Sequence, residues 1–317
     1  MTKKHDILWF ESVDSTNEVA KRHISELDNL SVLSALEQTA GRGQRGNSWS
    51  SNAGENLMFS IVLKFASDDS GLGGIEARNQ FILNEISALP VVDFLCLHGI
   101  KARIKWPNDI YVGSCKICGM LIENSLRGKW ISSSIIGIGL NINQRNFDVN
   151  LPNPTSMMLC QPDPNSHCVY PECNSDTPHC NSDHSKDIGE VSEANAKDSF
   201  DIRVCLEEFM DIFTSYYDRF LDSDCNLSTL RQLYLNYLWR LDIQADYLDY
   251  TTLPSGHLDA PMNICKDTDG KYAAENKPRK FLGIIRGLSA IGNLLVEDLS
   301  TGQLREFGFK EIGYIVQ

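Results

Sequence analysis

The segment Gly41-Arg42-Gly43-Gln44-Arg45-Gly46-Asn47-Ser48-Trp49 most narrows what this chain can fold into. Its glycines permit tight turns and close approach to a ligand. Its arginines carry planar forks of donors that match phosphate or carboxylate. The spelling satisfies G-x-G-x-x-G, which opens a dinucleotide-binding unit only where a helix follows the glycines directly. Here the continuation is Asn47-Ser48-Trp49-Ser50-Ser51-Asn52, residues that favour turns over helices. The segment therefore predicts a loop that closes over an anion or, taken alone, a solvated arginine turn.

The surroundings alternate between strand-like and helix-like patterns. Asp6–Phe10, Val32–Gln38, Asn56–Phe65 and Ala102–Trp106 are apolar runs of strand length. Ser15-Thr16-Asn17-Glu18 fits a capping box, predicting a helix from Ser15 through about Leu27. Glu76–Leu97 is helix-like but contains Pro90. An interior proline costs ~3 kcal/mol, so a break or kink is expected there. Lys116–Glu123 and Trp130–Asn143 read as paired strands joined at Arg127-Gly128-Lys129.

Cys160 to about Ser199 is acidic, rich in Asn, Asp, Ser and Pro, and without periodicity; it reads as a polar insertion. Ile202, Leu206, Phe209, Phe213, Tyr216 and Phe220 form the inward stripe of a helix, and a second helix is expected over Ser228–Arg240. After a turn-rich Thr251–Lys280, the runs Phe281–Gly287, Gly292–Asp298, Leu304–Phe309 and Gly313–Val316 suggest a small barrel-like C-terminal domain. The expected division is a domain over 1–240, carrying the insertion at 160–199, and a second over 241–317.

The net charge of −13 argues against broad nucleic-acid binding, which needs an excess of Lys and Arg. The run Ile7-Leu8-Trp9-Phe10 is too short for a signal core, and no apolar run of about 20 residues is seen that would span a bilayer. These features predict a cytoplasmic protein with no membrane partner. Its 10 cysteines would then be reduced thiols.

Three further constellations carry chemistry. Lys105-Trp106-Pro107-Asn108-Asp109 stands at a strand end, with Lys105 suited to phosphate and Asp109 to Mg²⁺; a plain Pro-Asn-Asp turn is the alternative. Lys116 lies among apolar strand residues in Lys116-Ile117-Cys118-Gly119, so it either snorkels or meets an anion. Cys115 and Cys118 form a C-x-x-C without an obvious second ligand pair, which argues against zinc. Gly137-Ile138-Gly139-Leu140-Asn141 places glycines in a strand, where a ligand or another backbone approaches closely or a bulge forms.

In this order, Ser15-Thr16-Asn17, Gln38, Gly41 through Trp49, Lys105 through Asp109, Lys116 through Gly119 and Gly137 through Asn141 resemble the motifs of biotin protein ligases. Lys310-Glu311-Ile312 is similar to the family's ending. The resemblance implies an α+β fold. Its catalytic domain would be of the class II aminoacyl-tRNA synthetase type, a mixed sheet flanked by helices, followed by a small SH3-like β-barrel. It implies ATP and biotin as substrates with Mg²⁺, activation of biotin as biotinyl-5′-AMP, and transfer to a lysine of a biotin carboxyl carrier domain of a biotin-dependent carboxylase.

By motif, Arg42, Lys105 and Lys116 would be the catalytic residues. Biotin would meet Ser15, Thr16, Asn17, Gln38, Gly41, Arg42, Gly43, Gln44, Trp49, Lys116, Gly119 and Gly137. ATP would meet Arg42, Gln44, Arg45, Asn47, Lys105, Asn108 and Asn141, with Mg²⁺ at Asp109. Gln44 stands where many members carry another arginine, and a neutral amide does not supply guanidinium charge; Arg45 is the neighbouring cation. The chain begins too late for the winged-helix domain of repressor-type members, so the expectation is a short form without operator binding. Homodimerisation is left open. Cys160, His167, Cys168, Cys173, His179, Cys180 and His184 match no standard zinc spacing, and the insertion is expected to be disordered rather than metal-bound. The rival readings are a lipoate or octanoate ligase of the same fold and a non-catalytic biotin-binding regulator.

Overall fold

The computed structural model describes residues 6–65, 74–160, 199–221, 227–251 and 278–316. The larger of its two sheets holds eight strands: β1 (Ile7–Val13), β2 (Ser31–Gln38), β3 (Leu57–Lys64), β4 (Ile75–Glu76), β5 (Arg103–Lys105), β6 (Asp109–Val112), β7 (Cys115–Arg127) and β8 (Trp130–Leu140). Their order is β1-β2-β3-β8-β7-β6-β5, with β4 paired to the start of β8. β1 runs parallel to β2 and the remaining pairings are antiparallel, so the sheet is mixed.

The two faces of this sheet do different work, because side chains alternate along each strand. Ile136, Ile138 and Leu140 of β8, with Phe59 and Ile61 of β3, enter the large core under α2 (Ile82–Leu97) and α3 (Ile202–Leu221). There Phe209 lies edge-on to Phe59 at 5.2 Å and to Phe94 at 6.2 Å. On the opposite face Ile135 and Val62 join a small cluster with Val19 and Ala20 of α1 (Thr16–Arg22). Further along that face β8 offers only Gly137 and Gly139, so Asn17 and the Trp49 indole approach the sheet closely there.

Several elements differ from the sequence expectation. Ser15 is the N-cap of α1, with extended backbone, but its side chain makes no capping bond. Glu18, the other half of the expected box, is drawn away into an ion pair with Arg42. The helix ends at Arg22, and Glu26 and Leu27 instead turn back onto the His23 carbonyl. α2 begins only at Ile82, after β4 and a single 3₁₀ turn, and then runs through Pro90 without a break. Its residues from Ile82 to Leu95 are all buried, and packing on this scale outweighs the ~3 kcal/mol proline penalty. The window Ala77–Leu97 is apolar and long enough to cross a membrane, contrary to the sequence reading, but 83% of it is buried inside the protein.

α3 follows the expected stripe, burying Leu206, Phe209, Phe213 and Tyr216. The Tyr216 hydroxyl donates to buried Asp93 of α2 at 2.6 Å. α4 (Leu227–Asn236) stops four residues before the expected Arg240. The chain peels away because Tyr237 and Trp239 hydrogen-bond to both sides of Ile104, extending the sheet beside β5.

The second sheet holds β9 (Gln244–Asp249), β10 (Arg279–Leu288), β11 (Leu294–Asp298), β12 (Gln303–Phe307) and β13 (Ile312–Tyr314) in the order β12-β11-β10-β9-β13, antiparallel throughout. The expected C-terminal runs are all strands here, and β9 joins them unforeseen. Two buried carboxylates, Asp249 and Asp298, face Arg305 and Arg279 across this sheet, and both guanidiniums lie over the Phe281 ring. Trp106 Nε1 donates to the Gly292 carbonyl at 2.9 Å and fastens the small sheet to the large one. Most of the expected insertion, 161–198, and the stretch 252–277 lie outside the described residues.

Candidate active site

The candidate site lies on the α1 side of the large sheet, between α1 and the Gly41–Trp49 loop. Its floor is polar. The backbone N–H of Thr16 donates to Gln38 Oε1 at 2.8 Å, and the Ser60 hydroxyl lies 2.8 Å from Thr16 Oγ1 and 2.6 Å from Asn17 Oδ1. Asn17 Nδ2 donates to Glu123 Oε2 at 2.9 Å and to the Leu121 carbonyl at 3.2 Å. Gly137 is required beneath this network, since a Cβ there would run into Asn17 Oδ1. A polar, strapped-down floor of this kind suits a ligand end that both donates and accepts hydrogen bonds.

The glycine–arginine loop folds over that floor as a small hairpin. Arg42 and Ser48 form an antiparallel bridge, Gly43 N donates to the Asn47 carbonyl at 2.7 Å, and Gln44–Gly46 make one 3₁₀ turn. Gly46 takes a φ of 76°, a left-handed value that favours glycine at the tip. No helix follows, so the dinucleotide spelling is coincidental. Trp49 lays its indole against β7 and β8: a Cβ at Gly139 would overlap the ring, and one at Gly119 would come within 3.0 Å of Trp49 Cζ3. The Trp49 Nε1–H is buried without a partner among the described residues. Arg42 is held between Glu18 and Glu123, 3.4 Å from the latter.

Beside the indole stands the charged group. Lys116 Nζ lies 2.7 Å from Asp109 Oδ1 and 5.7 Å from the Trp49 ring. Lys105 Nζ lies 3.6 Å from Asp109 Oδ2. Strand pairing explains the convergence, because Lys105 faces Asp109 across β5–β6 and Asp109 faces Gly119 across β6–β7. Two ammonium groups meet one carboxylate here, and the side chains of Lys105 and Asp109 are under 20% exposed. Ammonium groups at a weakly exposed site attract an anion more strongly than they would in open water.

The structure thus brings Thr16, Asn17, Gln38, Gly41, Arg42, Gly43, Trp49, Gly119, Gly137, Lys105, Asp109 and Lys116 around one surface, with Ser15 buried at the mouth of α1. Gln44 and Asn47 sit at the loop tip; the side chain of Arg45 lies outside the described residues. Asn108 and Asn141 are buried, each tethered through its amide nitrogen. Asn108 Nδ2 donates to the Met120 carbonyl, and Asn141 Nδ2 donates to the Thr155 carbonyl at 2.8 Å, both as buried tethers. Sequence reasoning missed Glu18, Ser60 and Glu123. A serine inside an otherwise apolar strand was the available signal for Ser60; the two glutamates carried none.

Among the described residues no group of three or more His, Cys, Asp or Glu side chains could hold a metal ion. Burial pushes the Cys118 thiol well above its ordinary pKa, which disfavours the thiolate that a metal would need. Asp109 is a lone carboxylate between two lysines, so the donor set does not make a resident metal site; it suits a cation that arrives already bound to phosphate oxygens.

Residues 9–141, under half of this chain, match the model of the Biotin/lipoate A/B protein ligase family. Within it the likeness is to biotin protein ligases. The chain is 36% identical over 132 residues to the biotin–[acetyl-CoA-carboxylase] ligase of Paracoccus denitrificans, covering 41% of this chain and 51% of that protein. It is 30% identical over 141 residues to the bifunctional ligase/repressor BirA of Escherichia coli, covering 44% of this chain and 42% of that one. The alignments thus span about half the length of these curated relatives. The fold is also that of the biotin protein ligase from Aquifex aeolicus solved in complex with biotin and ATP, with a TM-score of 0.63 at 20% identity over 99% of this chain and 100% of that one.

Proposed function

We propose that the protein joins biotin to a carrier-domain lysine in two ATP-dependent steps. The observation that carries this reading is the meeting of Lys105 and Lys116 on Asp109 beside a polar floor and under an arginine-bearing loop. A carboxylate substrate needs no serine or cysteine nucleophile, since it attacks phosphorus itself. What it needs is a site that holds two anions together and stabilises charge on the α-phosphate.

In the first step a biotin carboxylate oxygen attacks the α-phosphorus of MgATP and the bond to the β,γ-diphosphate breaks, giving biotinyl-5′-AMP and pyrophosphate. Thr16, Asn17, Gln38 and Ser60 would take the ureido end, and Gly119, Gly137 and Trp49 would enclose the apolar body. Lys116 and Arg42 would meet the carboxylate and α-phosphate, while Lys105 would meet the phosphate chain. Mg²⁺ would arrive with the nucleotide substrate, and Asp109 is the carboxylate that would meet it. In the second step the carrier lysine amine attacks the acyl carbon, AMP leaves and an amide forms. Closure of the loop would exclude water and protect the mixed anhydride from hydrolysis.

The same reading assigns residues 1–240 to a catalytic domain related to class II aminoacyl-tRNA synthetases and 241–317 to an SH3-like domain. It also implies a cytoplasmic setting and a carboxylase carrier domain as partner. The matched family takes in lipoate ligases, so the deciding assay includes both acids. Biotin-dependent ATP–pyrophosphate exchange and labelling of a biotin carrier domain are expected, with lipoate or octanoate giving little. Folded protein that releases no pyrophosphate with biotin and labels no carrier overturns the proposal; activity with lipoate alone moves the protein to the rival branch.

A further inference from the structure

The second sheet reaches the charged group through the side chain of Tyr314. Tyr314, at the end of β13, presents its ring to Lys105 Nζ with 5.0 Å to the centroid. Tyr111 of β6 presents its ring to the same ammonium at 4.9 Å. The ammonium therefore rests between two aromatic faces with the Asp109 carboxylate 3.6 Å away. A cation so placed is attracted by the negative face of each ring, most strongly where water is excluded.

Tyr314 is itself held firmly. Its ring stands edge-on to Tyr247 at 5.6 Å and lies 5.8 Å from Trp239, and Arg240 Nη1 donates to the carbonyl of the following Ile315 at 3.0 Å. Its hydroxyl is buried and meets no hydrogen-bond partner among the described residues. Burial also holds the phenol well above its ordinary pKa, so it is neither a base nor an anion at working pH. What this side chain offers Lys105 is the electron-rich face of its ring.

We infer that Tyr314 is a positioning residue for Lys105: with Tyr111 it forms an aromatic cage that holds the ammonium in place beside Asp109. This rests on the reading of Lys105 as the group that meets the phosphate chain. A lysine on a flexible four-carbon stem would otherwise lose rotamer freedom on meeting its ligand. Fixing it beforehand moves that cost from binding to folding. The small sheet then completes the nucleotide side of the site.

The test varies the ring's charge distribution and keeps its shape. Tyr314→Phe and a series of increasingly fluorinated phenylalanines at position 314 are compared in biotin-dependent ATP–pyrophosphate exchange, with thermal melting measured alongside. Tyr314→Phe retains the ring face and should stay near the parent. Across the fluorinated series, kcat/KM for MgATP should fall stepwise by roughly three- to thirtyfold in all, with KM for biotin and the melting temperature unchanged. A flat series in an active protein overturns the cage alone. So does a fall that follows the melting temperature or appears equally in KM for biotin. An unsubstituted protein that is folded but inactive overturns the ligase reading and the cage with it.

Discussion

Lys116 shows how one residue can be both paired and poised. Its ammonium sits 2.7 Å from Asp109 and under the Trp49 indole, which keeps a charged group in place without a bound anion. Lys116→Ala leaves Asp109 with Lys105 alone and removes the donor proposed for the α-phosphate. Biotin-dependent pyrophosphate exchange should fall by about 100-fold or more with little loss of melting temperature; near-normal rates would place its role elsewhere. Gly137 makes a steric prediction. Gly137→Ala drives a methyl into Asn17, which is tied to Ser60 and Glu123 and has no easy retreat. Overpacking of this kind costs about 1–3 kcal/mol, so denaturant titration should show reduced stability, and calorimetry should show weakened biotin binding. The strand glycines and Lys116 stood out in the sequence because a glycine or a lysine is unfavourable among apolar strand residues unless something packs closely against it. Glu18 and Glu123 could not, since a carboxylate near a helix start or at a strand end is ordinary until Arg42 is seen between them.

The helices and strands carry their own electrostatics. Glu85 of α2 is 1% exposed and pairs with Arg231 of α4, which also donates to the Ser289 carbonyl at 2.7 Å. Burial pushes the Glu85 carboxyl upward, and Arg231 opposes the shift. Arg231→Met strands that carboxylate and should cost about 3–5 kcal/mol in urea unfolding, whereas Glu85→Gln combined with Arg231→Met should recover much of the loss. A double variant as unstable as the single one would show that packing, not charge, dominates. In the second sheet Asp249 and Asp298 sit below the usual carboxylate range. Burial raises each, but hydrogen bonds from Thr251 and Arg305 to Asp249, and from Ser300 and Arg279 to Asp298, more than offset it. A folded pKa below the unfolded value of about 3.9 stabilises the protein at higher pH and ceases to do so as pH falls through the folded value. Urea midpoints should therefore be level near neutrality and drop below about pH 4, and Asp298→Asn should lower the plateau and flatten that drop.

Across the whole molecule, two sheets share one continuous core. The join runs through Trp106, whose indole donates to Gly292, and through Phe81, against which Gly292 packs with a φ of 89°. Gly292→Ala meets both a left-handed backbone and the Phe81 ring, so it should destabilise the join by a few kcal/mol. Tryptophan fluorescence and far-UV circular dichroism should give coincident unfolding curves for the parent and separated ones for this variant. Coincident curves in both would show that the sheets do not depend on this contact. The coupling matters for function because Tyr314 of the second sheet lies against Lys105 of the first.

The sequence by itself determined the inward stripe of α3 and most strands of the two sheets to within a few residues, with β4, β6 and β9 unforeseen. Those signals are local: alternation and periodicity along each segment. Only the tertiary structure decided that α2 runs through Pro90, that α4 gives way at Tyr237, that Asn108 and Asn141 are tethers, and that β9 completes the second sheet. Each of those turns on what packs alongside. A buried face absorbs a proline penalty that an isolated helix cannot. An amide nitrogen is oriented by whichever carbonyl packs beside it, and no stretch of chain specifies which neighbour it will meet.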